Sequence, residues 1–320
     1  MTRTAKEQLF RTIVDVPAPI ERLQVSDRTV MLGSCFVEHI GRRFLINRLL
    51  TMVNPLGVVY NPMSIARLLM ADNVKSIKNY AERDGMWHTW LGDSTMSRPT
   101  KKECVTETVK AINLLHEELS NANRLFLTFG TNHYYALKKG GKVVTNCHRF
   151  PSDTFKEQEL TVEEIVDLMD SALQYWHERN PQLKVVLTVS PYRYSKYGFH
   201  ESQLGKSRLL LATDTLCKRH PEWVEYFPAY EIVMDELRDY RFYAADMLHP
   251  SEQAVEYIWQ RLREEWMSAD LVEYLDRYRP ILQASMHKVI NPSIPSQLDF
   301  LVRITDQFEQ LKKDYPMLNR

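Results

Sequence analysis

The chain has 320 residues, with 41 basic and 41 acidic side chains, so it carries no net field for holding nucleic acid or an anionic membrane. Its 44% apolar and 26% charged residues are ordinary for a globular protein with room for one α/β core and a helical extension. No apolar run nears the roughly 20 residues of a membrane span, and the start lacks the apolar segment and cleavage site of a signal peptide, so neither is expected.

Cys35, Cys104, Cys147 and Cys217 lie far apart with no CxxC pair. That spacing points away from a zinc knuckle or a disulfide framework and towards a reducing cytoplasm. Residues 1–26, with Pro17 and Pro19, read as an irregular lead-in with at most an edge strand. "TVMLG" (29–33) is a short apolar, β-branched run ending in glycine, which predicts a buried strand. Phe36, Ile40 and Phe44 then recur at four-residue steps, so a helix should begin near Cys35.

"NPLGVVYNP" (54–62) predicts an ordered loop, with Pro62 in the first turn of the helix "MSIARLLMADN". Residues 76–100 show no clear period. "TKKECVTETVKAINLLHEELSNAN" predicts an amphipathic helix, followed by the buried strand "RLFLTFG" (124–130). Gly140-Gly141 marks a hairpin, and Thr161 with Glu164 forms a capping box opening the next helix. "LKVVLTVSP" (183–191) is a third buried strand, and a long helix covers roughly 201–219. "DMLHP" precedes a further helix with Ser251 at its N-cap; helices joined by the link "INPSIPS" complete the chain.

Strands alternating with helices imply a mostly parallel sheet covered on both faces, with ligands at the C-terminal ends of the strands. Four features reach that edge. Gly33-Ser34-Cys35 sits where a strand hands over to a helix, beside free N–H groups that favour an anion and lower a thiol's pKa. Asp246 and His249, three apart, form the base-and-orienter half of a triad, and no other histidine has an aspartate three residues before it. Asn132 follows a strand-ending glycine and could place its amide over an oxyanion. Gly57 lets backbone approach a ligand closely.

Singly, each is better read structurally: a buried thiol with a capping serine, a chance D-x-x-H, an ordinary turn asparagine, a turn glycine. Their order changes the reading. "GSCF" after a strand, "NPLGVVYNP", "GTN", "LTVSPYR" and "DMLHPSEQAVEYIW" together resemble the GSCFA family, within the SGNH (GDSL-like) hydrolase superfamily, over roughly residues 10–265. Val37 replaces the final alanine of the family's pentapeptide, and His133 stands where the superfamily often has aspartate.

The resemblance implies a three-layer α/β/α, flavodoxin-like SGNH-hydrolase sandwich spanning 1–267, with a helical C-terminal extension over 268–320 packed on it. It implies a nucleophile in the 33–35 turn, His249 as base and Asp246 as orienter. Cys35 aligns with the superfamily serine and is favoured over Ser34. Oxyanion donors would be the N–H groups of Cys35 and Gly57 and the Asn132 amide. The activity implied is an esterase acting on a small-molecule acyl ester, such as O-deacylation of a carbohydrate or metabolite. A binding protein without turnover, or an acyltransferase, is the alternative.

Arg193, after the third strand, could hold an anionic part of the substrate, though a surface arginine is the commoner case. His88 and His148 have no further ligands at metal spacing, so no metal or cofactor is expected. Tyr192 and His200 are candidate pocket-lining groups, and Tyr274 and Tyr278 in "YLDRYR" are expected to pack a helix.

Overall fold

The computed structural model of the protein describes residues 11–286 and 295–319. The first ten residues of the lead-in, and positions 290–294 of the "INPSIPS" link, therefore lie outside the described residues.

In chain order, β1 (Thr29–Gly33) runs into α1 (Cys35–Ile46), and β2 (Thr51–Val53) is followed by α2 (Pro62–Leu69). Asn61 caps α2, its side chain accepting the Ser64 N–H at 2.8 Å, with Pro62 just inside the helix. The expected helix to residue 73 stops at Leu69, and Asn73 already takes a left-handed backbone, φ 40°. Next come a hairpin, β3 (Tyr80–Arg83) and β4 (Met86–Thr89), and the long α3 (Lys101–Asn121). β5 (Arg124–Phe129), β6 (His133–Leu137), β7 (Val143–Val144) and β8 (Phe155–Glu159) precede α4 (Val162–Arg179).

β9 (Lys184–Val189) and α5 (Phe199–Arg219) follow, then β10 (Val224–Tyr226) and the short α6 (Ala229–Glu231), which continues as a π turn over Ile232–Glu236. α7 (Glu252–Trp266), α8 (Ala269–Met286) and α9 (Pro295–Asp314) complete the described elements. Thr161–Glu164 forms the anticipated capping box, and the Ser251 hydroxyl accepts the Ala254 N–H.

β10, β9, β5, β1 and β2 form one sheet in that order, and every neighbouring pair is parallel. In chain order the strands lie 2-1-3-4-5, a doubly wound arrangement whose order reverses beside β1. β6, β7 and β8 make a small antiparallel sheet beyond the C-terminal end of β5.

Side-chain alternation along the strands splits the core into two layers. Val30, Leu32, Leu125, Leu127, Val185 and Leu187 point into a cluster completed by α2, α3, α4 and α5. Met31, Phe126 and Val186 point the other way, into a cluster with α1, α7 and α8. The result is a mixed α/β fold with helices on both faces of a parallel sheet. Strands β1, β5 and β9 are legible as apolar runs because both faces are covered.

The C-terminal helices extend the second layer. Tyr274 stacks on Tyr278 with ring centroids 5.8 Å apart, takes the Tyr315 ring edge-on, and donates its hydroxyl to the Asn47 carbonyl at 2.7 Å. These tyrosines pack helices, as anticipated. No helix among the described residues is long and apolar enough to cross a membrane.

Candidate functional site

β1 ends where no side chain fits. A Cβ on Gly33 would lie 2.6 Å from the Thr128 carbonyl oxygen of β5. The turn then passes through Ser34, whose backbone caps α1 while its side chain makes no capping bond. Ser34 is 2% exposed, and among the described residues its buried Oγ has no hydrogen-bond partner, so this hydroxyl is enclosed. Cys35, in the first turn of α1, is half-buried and its thiol is free. Access separates the two: Ser34 is enclosed, whereas Cys35 is partly exposed.

The expected low thiol pKa does not follow. Burial pushes the Cys35 thiol up, and Glu38, one turn along α1, adds to this. The backbone N–H groups of Phe36 and Cys35, and the more distant Lys206, pull it down without overcoming burial. A neutral thiol is therefore the resting form, and a base is needed to use it.

The second half of the arrangement lies in the turn before α7. His249 Nδ1 is 2.5 Å from Asp246 Oδ2, and Asp246 Oδ1 accepts the backbone N–H groups of Leu248 and His249 at 2.9 and 3.0 Å. The His249 N–H and ring, then the Leu248 N–H, hold the Asp246 carboxyl down at about 2. An ionised Asp246 fixes the proton on Nδ1 and leaves Nε2 as the open nitrogen. Both side chains are about two-fifths exposed, at 40% and 43%.

The loop after β9 carries Tyr192 and Arg193 to this turn. The Tyr192 ring lies 4.3 Å from the His249 ring, and its hydroxyl is raised by burial, then by Cys35 and Asp246. No hydrogen bond joins Cys35 to His249 among the described residues. The Arg193 N–H donates to Leu248 O at 3.1 Å and its Nη1 to Met247 O at 3.3 Å, while its guanidinium covers the Phe199 ring at 4.3 Å. Arg193 pins the turn that holds Asp246 and His249.

Two of the anticipated oxyanion donors are committed elsewhere. The Gly57 N–H donates to Asn54 O at 2.8 Å, in a turn where Gly57 takes φ 82° and lies against Asp93. Asn132 is fully buried; its Nδ2 donates to Leu160 O at 3.1 Å and lies 3.5 Å from Glu159 Oε2. It clasps β5 to the strand ahead of α4. Both residues stand at the right edge of the sheet, but their donors satisfy backbone and neighbouring side chains.

Two residues missed in the sequence shape this edge. The Asn54 side chain brackets Gly33, and Lys206 on α5, 3% exposed, donates to Gly130 O and Ser190 O, both at 2.6 Å. Burial pushes Lys206 down to about 7, with Cys35 acting against the shift. The signal was present: Lys206 shares the buried stripe of Leu209, Thr213 and Leu216, where a lysine needs a reason. Lys206, Tyr192 and Arg193 line a cavity of about 270 Å³, together with Ser202, Gln203 and Tyr230.

His88 and His148 come together, their rings stacked at 4.7 Å, but His88 Nδ1 meets Ser97 Oγ and His148 Nε2 donates to Thr89 O. Among the described residues no three His, Cys, Asp or Glu side chains group as metal ligands. His200 is exposed at the start of α5 and is not among the residues that line that cavity.

Among solved structures, an acetyl xylan esterase (Est2A) from the rumen bacterium Butyrivibrio proteoclasticus is similar at 11% identity with a TM-score of 0.32. The likeness covers 76% of this chain and 65% of that one, and at this distance it carries no argument. No curated protein matches the chain. A comparison with protein families matches residues 28–262 to the GSCFA family, which spans the parallel sheet and every site residue described above. The chain belongs to the GSCFA family.

Proposed function

We propose that this protein is an SGNH-type acyl-ester hydrolase, built on a flavodoxin-like three-layer sandwich over residues 1–267 with residues 268–320 as an extension. The observation that carries the reading is the Asp246–His249 pair, held at 2.5 Å in a turn that Arg193 and Tyr192 tie to the edge where Cys35 opens α1. A fixed imidazole with Nε2 open, near a half-buried thiol at a helix start, is suited to nucleophilic acyl transfer.

In this mechanism the Cys35 sulfur attacks an ester carbonyl as His249 Nε2 takes the thiol proton. The carbonyl C–O bond to the leaving group then breaks, and His249 returns the proton to the departing alkoxide. A water activated by His249 hydrolyses the thioester, releasing the acid and restoring the thiol. The oxyanion is received by the N–H groups of Cys35 and Phe36 at the start of α1, rather than by Gly57 or Asn132. No cofactor enters these steps, and four free cysteines suit the reducing cytoplasm in which we place the protein.

The test is turnover of a short 4-nitrophenyl ester. His249→Ala should lower kcat/KM by at least about 100-fold, and a Cys35-linked acyl group should be trapped by mass spectrometry in the intact protein. Turnover unchanged by His249→Ala would sink the assignment.

One observation favours a second reading, a protein that binds its ligand without turnover. The thiol is raised by burial and makes no hydrogen bond to His249 among the described residues. In that case Cys35→Ala keeps full ligand affinity and no acyl-enzyme forms. An acyltransferase would instead form the acyl-enzyme and release product only with an added alcohol or amine acceptor.

A further inference from the structure

The cavity meets the His249 turn through Tyr192, whose ring packs on the His249 ring, and Lys206 and Arg193 are among the cations that line it. Lys206 is 3% exposed and donates two of its three N–H bonds to strand-end carbonyls, those of Gly130 and Ser190. Its ammonium lies 5.2 Å from the centroid of the Tyr194 ring and 5.9 Å from that of Tyr230, and it lines the cavity. A buried ammonium with two neutral partners lacks a counter-charge, and its third N–H is unassigned. Arg193 also lines the cavity, with one nitrogen on Met247 O and its planar face on Phe199.

The charges around this space are unequal. Arg238 also lines it, and Asp239 is its only carboxylate, while Tyr192, Tyr230 and Tyr243 supply aromatic walls with hydroxyls. Glu38 faces the thiol from α1 but is not part of the lining. In the same lining, Gln203 Oε1 accepts the Tyr230 hydroxyl at 2.6 Å, leaving the amide nitrogen as a further donor. At about 270 Å³ the cavity suits a small ligand rather than a polymer chain.

We propose that Lys206 and Arg193 form an anion subsite in this cavity, which adjoins the His249 turn through Tyr192, so that the protein takes small acyl donors bearing a carboxylate, such as the monoester of a dicarboxylic acid. This rests on Cys35 being the reactive residue of the proposed esterase. A bound carboxylate would supply the counter-charge that Lys206 lacks, and Arg193 can meet it with its remaining N–H groups. Because burial lowers Lys206 to about 7, this preference should weaken as pH rises through neutrality in the empty site.

The test compares two alkylating reagents on Cys35, iodoacetate and neutral iodoacetamide, at pH 6.5, with peptide-resolved mass spectrometry. In both reactions the sulfur–carbon bond forms as iodide leaves, and both use the same thiolate, so their rate ratio cancels the thiol's own ionisation. The ratio at Cys35 should exceed that of a free thiol by roughly fivefold or more, and fall about fivefold in Lys206→Met and in Arg193→Gln.

A Cys35 ratio equal to that of a free thiol, or one unmoved by a folded Arg193→Gln protein, overturns the proposal. Arg193→Gln keeps the test decisive if the buried Lys206→Met protein does not fold. A purely structural lysine would change stability without changing this ratio. In parallel, kcat/KM for a 4-nitrophenyl hemisuccinate should exceed that for the butyrate by about tenfold, a preference lost in both variants. The raised alkylation ratio with no ester turnover would overturn the esterase and leave the anion subsite; turnover without either preference would do the reverse.

Discussion

The Asn54 side chain grips Gly33 through both of its backbone polar groups. Asn54 Oδ1 accepts the Gly33 N–H at 2.9 Å, and Asn54 Nδ2 donates to the Gly33 carbonyl at 3.2 Å and to Glu38 Oε1 at 3.3 Å. This clamp joins the end of β1, the loop after β2 and the first turn of α1, and so sets where Cys35 begins. Asn54 itself adopts φ 41°, a conformation asparagine tolerates better than most residues.

Breaking that clamp should be costly. Gly33→Ala places a Cβ against the Thr128 backbone and should destabilise by about 3 kcal/mol or more; Asn54→Ala strands the buried Gly33 N–H, while the Gly33 carbonyl keeps the Val59 N–H at 3.0 Å, and should cost about 1–3 kcal/mol. Urea unfolding at pH 7 reads both. Loss below 1 kcal/mol in either variant would mean that the turn is not held as described.

Ser34→Ala should leave the protein as stable as the parent or slightly more so, by up to about 1 kcal/mol, because its buried hydroxyl has no partner to lose. Its ester turnover should stay within about twofold, while Cys35→Ala falls to background. The same ester assay on both variants decides which residue of the pair is used; loss of turnover in Ser34→Ala alone would reverse the assignment.

The Asp246 carboxyl is held low, at about 2, by the His249 N–H and ring and the Leu248 N–H. Its folded pKa lies below the unfolded value of about 3.9, so the turn's contribution is complete above that value and is lost as pH falls through about 2. A carboxyl-carbon NMR titration of the folded protein should place the Asp246 midpoint below 3. A midpoint near 4 would show that the dyad is not formed in solution.

His148 gives the opposite kind of pH response. Burial holds its ring down to about 4, with the Thr89 carbonyl opposing the shift and His88 adding to it. The ring stays neutral in the fold, whereas the unfolded chain protonates it near 6.5, so stability falls as pH drops from about 6.5 to 4 and then levels. The loss attributable to this group is at most about 3 kcal/mol. His133 and His177, also lowered by burial, slope the same way. Unfolding midpoints from pH 7 to 4 should show a shallower slope in His148→Gln, and an unchanged slope would remove His148 as a contributor.

Much of the scaffold is readable from local pattern. β1, β5 and β9 are apolar runs because both faces of a parallel sheet are covered, and α4 and α7 announce themselves through caps at Thr161 and Ser251. β2 and β10 are three residues each and too short for any periodicity. The β3–β4 hairpin did carry a signal, Asp84-Gly85, and both residues take the positive φ, 52° and 75°, that a two-residue hairpin turn needs.

Residue chemistry, strand-end position and chain order together placed Cys35, Asp246, His249 and Arg193 on one edge, because those features are local to the turns that carry them. Donor direction is not local. Whether Gly57 and Asn132 can face an oxyanion depends on Asn54 and Leu160, whose carbonyls already take their N–H groups. Thiol pKa depends on how much water the packed sheet excludes from Cys35, and here burial outweighs the helix start. Lys206 reads as one more charged residue on a helix until α5 turns it inward between the ends of β5 and β9. The sequence by itself determined which groups stand at this edge; only tertiary packing decided which of them are free to act, since hydrogen-bond satisfaction and desolvation are set by neighbours distant in the chain.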